Sequence, residues 1–116
     1  MARLSTHVLD TSRGIPAQGV VIELHRLQPT PRLLQAVTTN ADGRTNEPLT
    51  SGDRIEPGLY QLHFHVADYF RANNVVLSNP PFLDVVIIQF AISQPEANYH
   101  VPLLVSPYGY CTYRGS

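Results

Sequence analysis

The sequence predicts an all-β fold, a β-sandwich of seven or eight short strands with one short helix. Runs in which apolar and polar residues alternate recur along the 116 residues, and a period of two is typical of strands buried on one face. Turn-forming residues separate these runs at short intervals, as they do in sandwiches. We expect one domain over residues 1–116, because a chain of this length can bury one substantial core.

The first half of the chain contains predicted strands separated by turns. They are placed at residues 4–9, 20–25 and 33–39. These segments alternate in polarity or are rich in β-branched residues, which favour strands. The Asn40-Ala41-Asp42-Gly43 sequence is typical of a tight turn, and Arg44 follows it directly. Residues 46–57 contain Pro48, Gly52 and Pro57 and have no periodicity, which predicts an irregular connection with room for a short edge strand.

The second half begins with the most regular alternation in the chain. Residues 59–66 predict a half-buried strand, with His63 and His65 on its polar face. Residues 67–74 lose the period of two, so we predict a short helix there, with Asp68 as a candidate N-terminal cap.

A long apolar strand and a terminal hairpin complete the fold. Residues 83–92 predict a strand whose uncovered edge would favour pairing with another chain, so we expect an oligomer. The last two strands are joined by a turn at residues 106–109. Pro102 falls inside the first of them, and because proline cannot donate to a strand ladder, we expect an edge, a bulge or an outward-facing position there.

Composition and charge exclude several classes of function. The net charge is −1 and all eight basic residues are scattered arginines, so the sequence has no basic stripe for nucleic acid or anionic lipid. No apolar run approaches the roughly 20 residues of a membrane span. Residues 1–7 lack the apolar segment of a secretory signal, and Cys111 is the only cysteine. We therefore expect a cytoplasmic protein without nucleic-acid or membrane partners.

Histidines are the most informative candidates for chemistry. His7 and His100 lie among apolar or β-branched residues on strands from opposite ends of the chain, which can be neighbours in a sandwich. They form either a catalytic pair or two buried, hydrogen-bonded histidines. His63 and His65 share one face of a strand at a spacing compatible with metal binding, but a third ligand would have to come from elsewhere. We interpret them, and His25, as parts of a solvated face and expect no metal.

Several segments, in the same order along the chain, resemble a known family. They are Leu4–Asp10, Gly14–Ala17, Asp42–Arg44, Asp68–Phe70, Tyr99–Leu104, Ser106–Tyr110 and Tyr113–Ser116. Together they closely resemble the 5-hydroxyisourate hydrolases, transthyretin-related enzymes of urate breakdown. The terminal Tyr-Arg-Gly-Ser is the most specific part of the resemblance, because transthyretin, the hormone carrier of the same fold, is not expected to end this way.

The resemblance implies a transthyretin-like (prealbumin-like) eight-stranded β-sandwich with one short helix, assembled as a homotetramer, a dimer of dimers with active sites in the channel between dimers. It implies hydrolysis of 5-hydroxyisourate to 2-oxo-4-hydroxy-4-carboxy-5-ureidoimidazoline in urate (purine) degradation, without metal or organic cofactor. The implied catalytic residues are His7, Arg44, His100 and Ser116. Tyr113 is implied to join His7 and Arg44 in binding the substrate.

These residue types suit the implied reaction. Opening a cyclic amide requires an activated water, a partner for the oxyanion and a proton for the leaving nitrogen. A neutral imidazole is the natural base near pH 7, and the sequence leaves open whether His7 or His100 has this role. The planar fork of Arg44 can pair with ureide oxygens and stabilise negative charge. We expect Ser116 to orient a histidine and Tyr113 to border the pocket.

Other interpretations make different predictions. A transthyretin-like carrier of a hydrophobic ligand would need apolar residues in place of His7, Arg44 and His100. A metal-dependent protein using His63 and His65 would lose activity or stability to a chelator. A purely structural or adhesive sandwich has no use for a polar terminus of this kind. Since enzyme and carrier share one fold, the site residues have to distinguish them.

Overall fold

A computed structural model describes residues 2–115 of the chain. The strands are β1 (Ala2–Ser5), β2 (Val8–Asp10), β3 (Ile15–Pro16), β4 (Val21–Arg26), β5 (Arg32–Thr38), β6 (Thr50–Gly52), β7 (Gly58–Phe64), β8 (Val86–Ile92), β9 (Asn98–His100), β10 (Leu103–Ser106) and β11 (Gly109–Thr112). Within this range there is one helix, α1 (Val66–Ala72). The predicted β-sandwich with one short helix is confirmed.

One layer of the sandwich is made of two strand groups, in the orders β6-β1-β9 and β11-β10-β2-β3. The predicted strand at 4–9 is broken at His7, which lies between β1 and β2, and Pro102 lies in a matching break between β9 and β10. The Leu103 N–H donates to the His7 carbonyl at 2.8 Å, so a backbone hydrogen bond connects the two breaks. The layer is therefore continuous, and Pro102 lies where no N–H is needed.

The other layer has the strand order β5-β4-β7-β8. Its inward-facing side chains pack against those of the first layer and remove apolar surface from water, which is the main stabilising contribution. Fully buried side chains of both layers include Leu4, Ile22, Leu62, Phe64 and Leu103. Counting β1 with β2 and β9 with β10, and leaving out the two-residue β3, gives the eight strands that were predicted for the sandwich.

Strand β8 lies at an edge of its layer. It begins at Val86, three residues later than predicted, because the segment before it bends instead of pairing with β7. The side chain of Ile87 is 49% exposed on this strand. Among residues 2–115, no helix combines the length and apolar character that crossing a membrane requires.

Helix α1 follows β7 and covers one end of the core. Its N-cap is His65, whose side chain makes no capping hydrogen bond, and Asp68 lies within the first turn. The prediction of Asp68 as the cap was therefore wrong. The helix starts earlier because Val66 is completely buried, so packing decides where the chain begins to coil.

A buried carboxylate connects α1 to the first layer. Asp10 is 1% exposed, and its oxygens accept hydrogen bonds from the Tyr69 hydroxyl at 2.8 Å, Arg13 Nε at 3.2 Å and the Ser12 N–H at 3.0 Å. Burial alone would raise the pKa of Asp10, but hydrogen bonds from the side chains of Ser12, Tyr69 and Arg13 outweigh it and lower the pKa below its ordinary value. Asp10 is therefore a charged anchor for the helix.

Candidate active site

The turn before Arg44 is held tightly against β2. Asn40 N–H donates to the Arg44 carbonyl at 2.8 Å, and Val8 N–H donates to the Gly43 carbonyl at 2.8 Å. Gly43 has φ +72°, and a Cβ there would lie 2.3 Å from the Val8 carbonyl oxygen. Because only glycine tolerates both the positive φ and this close approach, the turn docks beside His7 and brings Arg44 with it.

His7 lies in the break between β1 and β2, facing this turn. Its Nε2 lies 2.9 Å from the Asp42 carbonyl oxygen. A carbonyl only accepts, so Nε2 carries the proton, and in the neutral ring Nδ1 is the basic nitrogen. Partial burial lowers the pKa of His7, and the nearby charge of Arg44 lowers it further. His7 is therefore a neutral imidazole with a fixed tautomer near pH 7.

His100 is held from two sides. It pairs with Ser5 across the parallel strands β1 and β9, and the Ser5 Oγ lies 2.8 Å from its Nδ1. On the other side, the Gly115 N–H donates to the His100 carbonyl at 2.7 Å. A Cβ at Gly115 would lie 2.6 Å from His100 Cδ2. The end of the chain therefore packs directly on the imidazole.

The electrostatic surroundings keep His100 neutral as well. Partial burial lowers the pKa of His100, and the charges of Arg44 and His7 lower it further. Because one guanidinium lowers the pKa of both histidines, Arg44, His7 and His100 form one electrostatic unit. Within residues 2–115, no carboxylate forms a salt bridge with Arg44, so its charge is available to a ligand.

Two open cavities adjoin this unit. One has a volume of about 350 Å³ and is lined by Arg3, Ser5, Arg44, Asn98, Tyr99 and His100. The other, of about 270 Å³, shares Arg3, Ser5 and Arg44 and continues along residues 45–48. Both volumes suit a small molecule rather than a polymer. Two guanidinium groups at the cavities favour a ligand rich in carbonyl oxygens or negative charge.

The structure brings three of the predicted site residues together: His7, Arg44 and His100. Tyr113 is 57% exposed and lines a different cavity, of about 320 Å³, with Tyr99 and Arg114 among its other lining residues. Ser116 lies outside the described residues.

Sequence reasoning missed Ser5 and Arg3. Both side chains lie on the polar face of β1, because buried Leu4 separates them along the strand. The alternation that predicts this strand also places Ser5 and His7 on one face, since they are two residues apart. The sequence therefore indicated that Ser5 and His7 share a face. It did not indicate that Ser5 lies opposite His100, because that depends on the register between β1 and β9.

A two-layer β-sandwich in which an arginine and a histidine line a small-molecule cavity, with a second histidine nearby, defines a transthyretin-like protein with a polar site. The sequence model of the HIUase/Transthyretin family matches residues 4–115. The chain belongs to the HIUase/Transthyretin family.

Relatives with named activities cover the chain almost completely. The 5-hydroxyisourate hydrolase of Pseudomonas aeruginosa is 50% identical over 100% of this chain and 93% of its own length. The crystal structure of an (S)-allantoin synthase has a TM-score of 0.93 and 42% identity, covering 99% of this chain but 44% of that longer one. The structure of Klebsiella pneumoniae 5-hydroxyisourate hydrolase has a TM-score of 0.83 and 33% identity, covering 100% of both chains.

Proposed function

We propose that the chain is a 5-hydroxyisourate hydrolase, a hydrolase of C–N bonds in cyclic amides that acts in urate breakdown. The observation that carries the proposal is the cavity that Arg44 and His100 line together, with His7 held near Arg44 by its bond to the Asp42 carbonyl. Relatives 50% and 52% identical to the chain have the same named activity. A carrier of apolar ligands would gain nothing from this arrangement.

Arg44 is proposed to bind and polarise the substrate. Its guanidinium is permanently charged, lines both cavities and has no salt-bridge partner within residues 2–115. Planar paired donors match the oxygens of a planar ureide. When water adds to the ring carbonyl, the oxygen becomes negative, and a fixed cation nearby stabilises this charge more strongly than it stabilises the neutral substrate.

His7 is proposed to move the proton. Its Nε2 is bonded to the Asp42 carbonyl, so Nδ1 can accept a proton from the attacking water. Water oxygen then bonds to the carbonyl carbon, and the carbonyl π electrons become the oxyanion's lone pair. When the oxyanion collapses, the C–N bond breaks and the protonated His7 returns its proton to the leaving nitrogen. Charge and protons balance without a further reactant.

His100 is proposed to position the water or the substrate carbonyl. Its Nδ1 is bonded to the Ser5 hydroxyl, so Nε2 is the nitrogen left to meet a ligand, and we assign the proton of the neutral ring to Nε2, where it can be donated. Ser116 is proposed to complete the catalytic set, which is supported by the contact between its neighbour Gly115 and His100. Tyr113 is proposed to border the bound substrate, a role supported by its exposure and by the resemblance of the terminal sequence.

The assembly is proposed to be a homotetramer, a dimer of dimers, of single-domain chains in the cytoplasm. Support comes from the open edges of β8 and β11, where Ile87 and Tyr110 are 49% and 48% exposed. Uncovered edges with apolar side chains favour pairing between chains. Sedimentation equilibrium should give a mass four times that of the chain, and a stable monomer would contradict this part of the proposal.

A spectrophotometric assay tests the function directly. 5-Hydroxyisourate is generated in place by urate oxidase, and its decay is followed with the wild type, with His100→Ala and with Val76→Ala, a control at a side chain that is 94% exposed. We expect the wild type and Val76→Ala to accelerate the decay, and His100→Ala to lose at least about 100-fold in kcat/KM. A folded wild type that does not accelerate the decay would make ligand binding the better hypothesis.

A further inference from the structure

Four polar side chains form a cluster on the outer face of the second layer. Glu23 and His25 belong to β4, His63 belongs to β7, and His65 follows β7 directly. Glu23 lies opposite His63 in the antiparallel register. Leu24 separates Glu23 from His25, and Phe64 separates His63 from His65. Both Leu24 and Phe64 are completely buried. Because neighbouring residues of a strand point to opposite faces, the side chains of the cluster point away from the core.

The donor atoms of this cluster converge. One ligand atom each from Glu23, His25 and His63 lies within 4.8 Å of the other two. His25 Nε2 is 2.8 Å from Glu23 Oε1, and His65 Nε2 is 2.8 Å from Glu23 Oε2. The rings of His25 and His63 are stacked with centroids 4.1 Å apart. The ligand atoms of two imidazoles and a carboxylate thus lie close together, and a third imidazole holds the carboxylate.

We propose that Glu23, His25 and His63 bind a divalent transition-metal ion, with Zn²⁺ as the test ion. Imidazole and carboxylate donors suit Zn²⁺ rather than Ca²⁺ or Mg²⁺. His65 acts as a positioning residue, because its bond to the second Glu23 oxygen orients the carboxylate. This ion lies on the layer opposite the strands β1 and β9 that carry Ser5 and His100, and the proposed hydrolysis does not use it.

The distances require only small side-chain adjustments. At a metal–ligand distance of about 2.1 Å, tetrahedral ligand atoms lie roughly 3.4 Å apart, and the three donors here already lie within 4.8 Å. The backbone beneath them is rigid, since β4 and β7 are the two central strands of their layer. Sites built on paired strands keep their geometry better than sites on loops. A bound ion would also cross-link the two strands.

Hydrogen bonding within the cluster offers a simpler account, which the experiment must exclude. One carboxylate can hold two imidazoles without any ion, as His25 and His65 show. His63, however, does not bond to Glu23 in this way: its Nε2 lies 2.9 Å from Gln61 Oε1. The hydrogen-bond account therefore predicts that the wild type takes up no Zn²⁺ at the cluster, whereas the metal-site account predicts uptake that is largely lost when His63 is replaced.

Isothermal titration of chelator-washed protein with ZnCl₂ tests the proposal. We expect one ion per chain for the wild type, and at least about tenfold weaker binding for His63→Gln and Glu23→Gln, because each removes a ligand. His100→Gln is the matched control, a histidine lost from the other layer, and should bind Zn²⁺ as the wild type does. The melting temperature in EDTA checks that every variant is folded.

Cobalt substitution gives a second readout. Co²⁺ bound to the wild type should show the visible absorption of a tetrahedral nitrogen–oxygen site, and His63→Gln should lose it. The proposal is overturned if the wild type takes up no Zn²⁺, if His63→Gln binds as tightly as the wild type, or if only His100→Gln loses binding. The last outcome would assign the ion to the candidate active site.

Discussion

The Ser5 hydroxyl lies 2.8 Å from Nδ1 of His100, across the parallel pair β1 and β9. This contact holds the plane of the His100 ring, and either the hydroxyl donates to Nδ1 or an Nδ1–H donates to the hydroxyl oxygen. In both arrangements the hydrogen bond keeps Nδ1 turned toward Ser5 and leaves Nε2 on the other side of the ring. Ser5 is therefore a positioning residue for His100 rather than a catalytic one.

The Ser5→Ala substitution tests this role. We expect kcat/KM to fall about tenfold, which corresponds to one hydrogen bond of ~1.4 kcal/mol, with little change in melting temperature. Ser5→Thr keeps a hydroxyl and should recover most of the activity. Equal activity of Ser5→Ala and the wild type, over the whole pH profile, would contradict the positioning role.

The Gly115→Ala substitution tests the contact between the end of the chain and His100. A Cβ at Gly115 would lie 2.6 Å from His100 Cδ2, so the ring or the tail must move. Because a displacement of about 1 Å can cost roughly 100-fold in rate, we expect kcat to fall by that order. Gly109→Ala is the control, since its nearest atom would be Ser106 Oγ at 3.8 Å.

The comparison of Gly115→Ala with Gly109→Ala separates an effect on activity from an effect on stability. Melting temperatures of both variants should stay close to that of the wild type, because neither Gly109 nor Gly115 belongs to the hydrophobic core. If Gly115→Ala and Gly109→Ala turned over the substrate equally fast, the tail would have no part in placing His100.

Arg44 should control the titration of both histidines. Partial burial and the Arg44 charge lower the pKa of His7 and of His100, because a cation nearby disfavours the imidazolium form. The pH at which activity falls to half on the acidic side of the profile should therefore lie below the ordinary histidine pKa near 6.5. Removing the charge in Arg44→Gln should raise the pKa of His7 and the pKa of His100. The acidic fall of the residual activity should then occur at higher pH.

Titration of the imidazole proton resonances by NMR measures this effect independently of turnover. Arg54→Gln removes an exposed arginine whose nearest carboxylate is Glu56 at 3.8 Å, and it serves as the charge-matched control. We expect the control to leave His7 and His100 unchanged. Identical titration curves in Arg44→Gln and the wild type would show that the three groups do not interact.

Asp10 should stabilise the fold in a pH-dependent manner. Its pKa is lowered in the folded state, so the stabilisation is complete above the unfolded pKa near 4 and is lost as the pH falls through the folded value. Asp10→Asn should reduce the free energy of unfolding at pH 7 by about 2 kcal/mol, the value of hydrogen bonds to a charged group.

Urea unfolding at pH 7 and at acidic pH measures the difference between the wild type and Asp10→Asn. The difference should shrink in acid, where the wild-type carboxylate is protonated. Asp68→Asn is the control, because the Asp68 side chain is 73% exposed. A difference that stays constant with pH would assign the effect to packing rather than to charge.

Local patterns predicted most of the strands, because alternation reports directly which side chains face the core. Residues 59–66 are the clearest example, with Tyr60, Leu62 and Phe64 all buried in β7. The break at His7 was not predicted, because the alternation of residues 4–9 continues through it. The beginning of α1 was also missed, because burial of Val66 outweighs the capping preference of Asp68.

The candidate site could be predicted only in part, because local patterns do not show which distant strands lie side by side. His7, Arg44 and His100 stood out through the resemblance, but their convergence depends on a parallel pairing of distant strands. The Glu23 and His25 pair was interpreted as ordinary surface, because nothing local indicates that His63 lies opposite Glu23. Register across a sheet is a long-range property, and a single sequence does not report it.

The parallel pairing of β1 with β9 also has a consequence during synthesis. Ser5 and His100 are 95 positions apart, so a growing chain carries β1 long before its partner leaves the ribosome. Closing so large a loop costs entropy before any contact compensates for it, which makes such pairings slow to form. A nascent chain therefore stays without its candidate active site until β9 has been translated and can pair with β1, and until then β1 lacks this partner strand.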